Sequence, residues 1–261
     1  MSVLKRLIFI LLGAAGTGTL ALMAVFPGPR SMLAFTLLTG IGRDQLQAII
    51  DEIEIDAIQG KEPTQHQRDF LENFYWTLAE GGKLSGFARQ SGELMSHYLN
   101  RSGLTFKLNR TIFTNNSNVM LKAHLIKGKI SAAQCPNNQV FKSDEFYMPH
   151  PSSPDSVFAL YYGTLQAHTH RAGSDCEIQW KAEVPWIWPS YREVTKKTGT
   201  PHGESFPLPS VRSLLLGINH SLYVDNGLGH YIEKHGLAKR FVAYGEWIES
   251  TSFASLPQPG L

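Results

Sequence analysis

The sequence predicts an α+β protein: an N-terminal transmembrane or signal-anchor helix, a helical N-terminal subdomain, then an antiparallel sheet or open barrel with C-terminal helices. Three observations predict it. Residues 7–26, LIFILLGAAGTGTLALMAVF, carry no charge. At about 1.5 Å per residue a helix of that length spans roughly 30 Å, the thickness of a bilayer's hydrocarbon core. Residues 43–102 repeat their apolar positions at the helical interval. Beyond Gly103 apolar and polar residues alternate, the signature of strands.

Lys5 and Arg6 precede the apolar run, and Arg30 and Arg43 follow it. With the amino terminus added, the balance favours N-terminus inside and the bulk of the chain outside. An export signal has a shorter apolar core of about 7–15 residues. A retained anchor is therefore preferred to a signal cleaved near Thr19-Leu20-Ala21. No cysteine precedes Cys135, which excludes a lipid-modified cysteine after the run. Residues 1–30 are assigned as signal-anchor or signal peptide, and 31–261 as a single extracytoplasmic α+β domain. That domain reads as helical over 43–102, β-rich over 103–188, mixed over 189–249 and frayed over 250–261.

Proline and glycine in Phe26-Pro27-Gly28-Pro29-Arg30 interrupt any helix. Residues 31–42, SMLAFTLLTGIG, are uncharged but too few to span a bilayer. They read as an interfacial segment or as the first buried helix of the domain. A helix over 43–59 presents Leu46, Ile49, Ile50, Ile53 and Ala57 on one side. Pro63 opens a second helix that Gly81-Gly82 stops, and a third runs over 87–100.

Alternation over 104–108 and 119–125, around the Asn-rich turn at 114–118, predicts a hairpin. Residues 131–154 read as loop. A second hairpin joins 157–170 to 177–184 through a turn at 171–175. Matching polar to polar sets His170 opposite Glu177 and His168 opposite Gln179, or slides two residues to set His168 opposite Glu177. Pro185 ends that strand. Residues 190–209 read as loop, and Ser210 caps a helix reaching Tyr223. A turn at 225–227, a short helix over 228–235 and a strand over 240–248 complete the chain.

Net charge is +2 with the charges interspersed, so no basic stripe points to nucleic acid. Cys135 and Cys176, the two cysteines, either pair in an oxidising compartment or remain buried thiols. Phosphate loop, dinucleotide fingerprint, Cys-x-x-Cys and His-Glu-x-x-His motifs are absent.

Chemistry concentrates in two places. His168 and His170, at i and i+2 on a strand, point the same way, and Glu177 joins them from the neighbouring strand. Two imidazoles and a carboxylate form a ligand set for a divalent metal, which would make His168, His170 and Glu177 catalytic. The plain alternative is a hydrated sheet face with a cross-strand pair. With Gly163 upstream, the run resembles the opening of a cupin metal motif. The interval to Glu177 is longer than in that motif, and no second half follows. The second cluster is Ser221, Asp225, His230 and Glu233, which could meet around a ligand or could cap turns and helices. The expected function is a single-pass membrane-anchored extracytoplasmic protein with a binding or assembly role. The membrane contact is through residues 7–26, and the protein or small-molecule partner is left open. The alternatives are a membrane-tethered metal-assisted hydrolase and a carrier of an apolar ligand.

Overall fold

A computed structural model describes residues 26, 28–85, 89–147, 162–188, 205–209, 221–252 and 255–257. The apolar run up to residue 25, residues 148–161 (where the end of the expected loop and the start of the expected strand fall), the segment over 189–204 and the expected helix over 210–220 lie outside the described residues. The protein is mixed α+β, and the described chain divides into two compact units. Among the described residues no helix is long and apolar enough to cross a membrane.

The first unit comprises residues up to 102 together with 187–240. Its helices are α1 (Pro29–Thr39), α2 (Arg43–Ile58), α3 (Gln65–Ser85) and α4 (Arg89–Leu99). Leu46, Ile50, Ile53 and Ala57 of α2, Leu71, Phe74 and Tyr75 of α3, and Leu94, Tyr98 and Leu99 of α4 form its core. Helix α3 passes through Gly81-Gly82, the expected stop. Two glycines lower helix propensity by about 1 kcal/mol each without forbidding the helix, and α4 packs against this very stretch. A Cβ on Gly92 of α4 would sit 2.4 Å from the Ala79 carbonyl oxygen and 2.5 Å from Lys83 N. Only glycine allows the two backbones to approach so closely.

The same unit contains a two-stranded antiparallel ribbon and a final helix. In the second unit, residues 103–186 and 241–261, lie β1 (Phe106–Lys107), α5 (Arg110–Thr114), α6 (Ser117–Ala132), β2 (Gln139–Lys142) and β3 (Phe146–Tyr147). They are followed by β4 (Tyr162–Ala172), β5 (Asp175–Trp186) and, after the ribbon, β8 (Phe241–Ser252). The sheet order is β1-β8-β5-β4-β2, with β3 beside β2 on the same edge of β4. Among the described strands only β1 and β8 run parallel. Among the described residues the sheet has β1 at one edge and β2 and β3 at the other.

The expected first hairpin is replaced by helix. Residues 119–125 alternate, but Val119, Ala123, Ile126 and Ile130 also recur at i, i+4, i+7 and i+11, and these are the buried ones. Asn116 accepts from the N–H groups of Asn118 and Val119, so the Asn-rich stretch is a helix cap. Leu121 and Leu125, apolar positions of the alternating pattern, are exposed.

The second hairpin forms with the polar-to-polar register, His170 opposite Glu177 and His168 opposite Gln179. Its turn is tighter than expected, since Ala172 already pairs with Asp175. Strand β5 also runs through Pro185 to Trp186. The last pair between β4 and β5 is Thr164 with Glu183, so Pro185 is paired on the β8 side only. A residue without an N–H is tolerated where one ladder has ended. Odd-numbered residues of β4 up to Thr169 and even-numbered residues of β5 are buried, among them Leu165, Ala167, Ile178, Trp180 and Ala182. Trp247 of β8 stacks between Trp180 at 6.0 Å and Phe113 of α5 at 6.5 Å. The Trp180 Nε1–H donates to Glu249 Oε2 (3.2 Å), and Lys127 of α6 holds the other oxygen of that carboxylate. The opposite face of the sheet is largely polar and open to solvent, with Ile248 and Tyr162 also exposed on it, the usual arrangement for an antiparallel sheet covered on one side.

Back in the first unit, β6 (Ser205–Pro209) pairs antiparallel with β7 (Ser221–Asp225), where loop and helix were expected. Strand β7 leads directly into α7 (Asn226–Lys234).

Candidate functional site

The polar face of the β4–β5 hairpin, near its turn, is the site that the structure assembles. Period-2 geometry puts His168 and His170 on one side of β4, with Gln179 and Glu177 directly across on β5. Both histidines are exposed and Glu177 is half-buried. Gln179 Nε2 donates to Glu177 Oε1 at 3.2 Å. Asn138 joins them, and these five side chains with the backbone at Thr169 line a shallow, open groove of about 340 Å³.

Asn138 was not legible as part of this face, because it falls in a loop of the sequence. A disulfide brings it there. Cys135 and Cys176 are bonded, with an S–S distance of 2.01 Å and Cα atoms 6.0 Å apart. Cys176 is the neighbour of Glu177 and pairs with Arg171 across the hairpin. The bridged loop is further fixed to β4. Thr169 points into the protein, and its hydroxyl donates to the Pro136 carbonyl (2.6 Å). Asn138 N–H donates to the Thr169 carbonyl (2.8 Å), and Arg171 N–H to Asn137 Oδ1 (2.7 Å). Gln134, Cys135 and Asn138 hold φ of 57°, 49° and 58°, a conformation that costs non-glycine residues free energy and persists only where surrounding contacts impose it. The signal in the sequence was the cysteine pair. Once it is closed, the chain after Cys135 must run alongside β4.

The metal expectation is not supported. Among the described residues no three His, Cys, Asp or Glu side chains gather as a metal-binding group, so His168, His170 and Glu177 do not form the expected triad. The three residues stand side by side on the polar face of β4 and β5. His124 is exposed on α6 and does not complete a set with them.

The second cluster is likewise distributed among structural tasks. Ser221 opens β7 opposite Pro209. Asp225 is buried and caps α7, its Oδ1 accepting from Gly227 N–H at 2.7 Å. Glu233 pairs with Arg240 and also accepts from the Tyr98 hydroxyl at 3.4 Å. Asp225 and Glu233 are about 12 Å apart along the helix axis, given eight residues at about 1.5 Å each. His230 is half-buried between them in sequence.

One carboxylate of the first unit is buried. Glu54 of α2 accepts the Asp225 N–H at 2.8 Å. Burial pushes its pKa up to about 7, the Asp225 and Asp51 carboxylates push the same way, and the Asp225 N–H opposes them. Burial also raises the pKa of the Tyr75 phenol, with the charges of Glu54 and Asp225 adding to it. The signal was positional: Ile50, Ile53, Glu54 and Ala57 stand at i, i+3, i+4 and i+7, so Glu54 lies inside the apolar stripe. A carboxyl with a pKa near neutrality is a functional candidate. Here the observed partner is a backbone N–H, which makes the contact a joint between α2 and β7.

Comparison with protein families, with curated proteins and with solved structures found no match.

Proposed function

We propose that the chain is a single-pass membrane-anchored extracytoplasmic protein with a binding role, and that the polar face of the β4–β5 hairpin is its contact surface. The observation carrying this reading is the pinned geometry of that face. The disulfide and the Thr169, Asn137 and Asn138 hydrogen bonds fix a loop that otherwise has little regular structure, and the result is an exposed row of imidazole, amide and carboxylate groups. Rigid, solvent-facing polar groups bind with less ordering cost than mobile ones. The location rests on the uncharged run over 7–26 and on a disulfide of the kind that persists in oxidising compartments.

Photo-crosslinking in native membranes tests it. A photoreactive residue at Gln179 of the full chain is expected to give a discrete adduct, weakened by His168→Ala and His170→Ala together. The same residue at exposed Lys129 serves as the control. An identical background from both positions would sink the reading.

A further inference from the structure

Helix α1 is built with its polarity reversed for a helix on a water-soluble protein. Its single charged side chain, Arg30, turns to the protein. Arg30 Nε donates to Asn73 Oδ1 and Nη1 to Glu80 Oε1, each at 3.2 Å, and the guanidinium lies 5.6 Å from the Trp76 ring centroid. Asn73, Trp76 and Glu80 share one face of α3. The buried residues of α1 are Ser31 and Ala34, both small. The outward residues are apolar: Met32 is 66% exposed and Ile41, just past the helix, is 56% exposed. No charge occurs from residue 31 to residue 42. Two hydroxyls are satisfied locally, Ser31 by the Gly28 carbonyl and Thr39 by the Phe35 carbonyl, both at 2.8 Å.

The end of the apolar run lies beside this helix, on its buried side. Phe26, the last residue of the apolar run, is buried in a cluster with Ala34, against which Phe35 and Leu38 pack. The run therefore ends directly on α1. The helix is roughly 16 Å long, too short to span a bilayer and long enough to lie along one.

We propose that α1 sits in the lipid–water boundary with Met32 and Ile41 turned to lipid, so that the first unit rests on the bilayer instead of hanging from a free tether. This rests on the reading of residues 7–26 as an anchor. A buried apolar side chain contributes favourably in this boundary as in a core, and the absence of charge removes the cost of bringing the helix there.

The test uses the full chain in phosphatidylcholine–phosphatidylglycerol vesicles. Its two cysteines are bonded to each other, so an environment-sensitive dye reacts only with an introduced thiol. Dyes on Met32→Cys and, separately, Ile41→Cys are expected to shift to the blue and lose most of their emission to nitroxide-labelled lipid. A dye on exposed Gln65→Cys is expected to respond to aqueous iodide alone. If the protein floats with the vesicles but the dyes at 32 and 41 answer only to iodide, the inference is overturned and the anchor reading stands. If they answer to neither quencher, a second copy or another protein covers the face and the inference is again overturned. Failure to float overturns both.

Discussion

The Glu54 carboxylate accepts the backbone N–H of Asp225 at 2.8 Å, and two turns earlier on α2 Gln47 holds the backbone of Tyr223. Gln47 Oε1 accepts the Tyr223 N–H (2.8 Å), and its Nε2 donates to the Tyr223 carbonyl (3.0 Å). Side chains of a helix thus satisfy the free edge of β7 as a neighbouring strand would. An edge left open is a template for unwanted pairing. Asp225 in turn caps α7, so one carboxylate on α2 supports both the end of a strand and the start of a helix.

This joint predicts a pH dependence of stability. The folded pKa of Glu54 is about 7, against an ordinary value of 4.5. Between those values the folded protein binds more protons than the unfolded chain, so stability falls as pH rises. The contribution is fully present below pH ~4.5 and lost through pH ~7, with a ceiling on the order of 3 kcal/mol. Glu54→Gln keeps the acceptor oxygen and removes the titration. Denaturant midpoints at pH 5 and pH 8 should differ less for Glu54→Gln than for the parent chain. Equal differences would refute the assignment.

The Cys135–Cys176 bond closes a separation of 41 residues. In the chain-entropy model such a closure contributes about 4 kcal/mol. Paired Cys135→Ser and Cys176→Ser substitutions should lower the unfolding free energy by an amount of that order. They should also weaken crosslinking from Gln179, because Asn138 loses its tether.

Two glycines should respond in opposite directions to alanine. At Gly92 the new methyl would meet backbone atoms of α3 that cannot move aside, and about 1–3 kcal/mol of stability should be lost. At Gly81, also helical, nothing lies within 4 Å of an added Cβ, and alanine should gain roughly 0.5–1 kcal/mol. Thermal unfolding of the two variants decides it. A matching sign at both positions would mean that the α3–α4 contact is looser than described.

His168→Ala and His170→Ala should each leave stability within about 0.5–1 kcal/mol of the parent, since both side chains are exposed on a hydrated sheet face. Equilibrium unfolding checks this. It matters because any loss of crosslinking in the double variant can then be assigned to contact and not to unfolding.

Residues 43–58 were legible because Leu46, Ile50, Ile53 and Ala57 repeat at one period only. The register of the β4–β5 hairpin was legible because a one-residue slip would have buried His168 against Ile178. Residues 119–125 were not, because Val119 and Ala123 satisfy period 2 and period 3.6 alike, while Leu121 and Leu125 complete the alternating pattern although they are exposed on the helix. The site was half legible. His168, His170, Glu177 and Gln179 follow from alternation within one hairpin, whereas Asn138 reaches them only through a bond spanning the chain.

The sequence by itself determined local periodicity: which residues are helical over 43–58, which face of the hairpin is polar, and that residues 7–26 carry no charge. Those properties depend on neighbours along the chain, whose relative directions the backbone sets. Tertiary structure alone decided that Glu54 is buried against Asp225, that Cys135 meets Cys176, and that Arg30 turns inward while Met32 turns out. Each of those outcomes depends on which surfaces meet across long separations, and the period of a single segment carries no record of its partner.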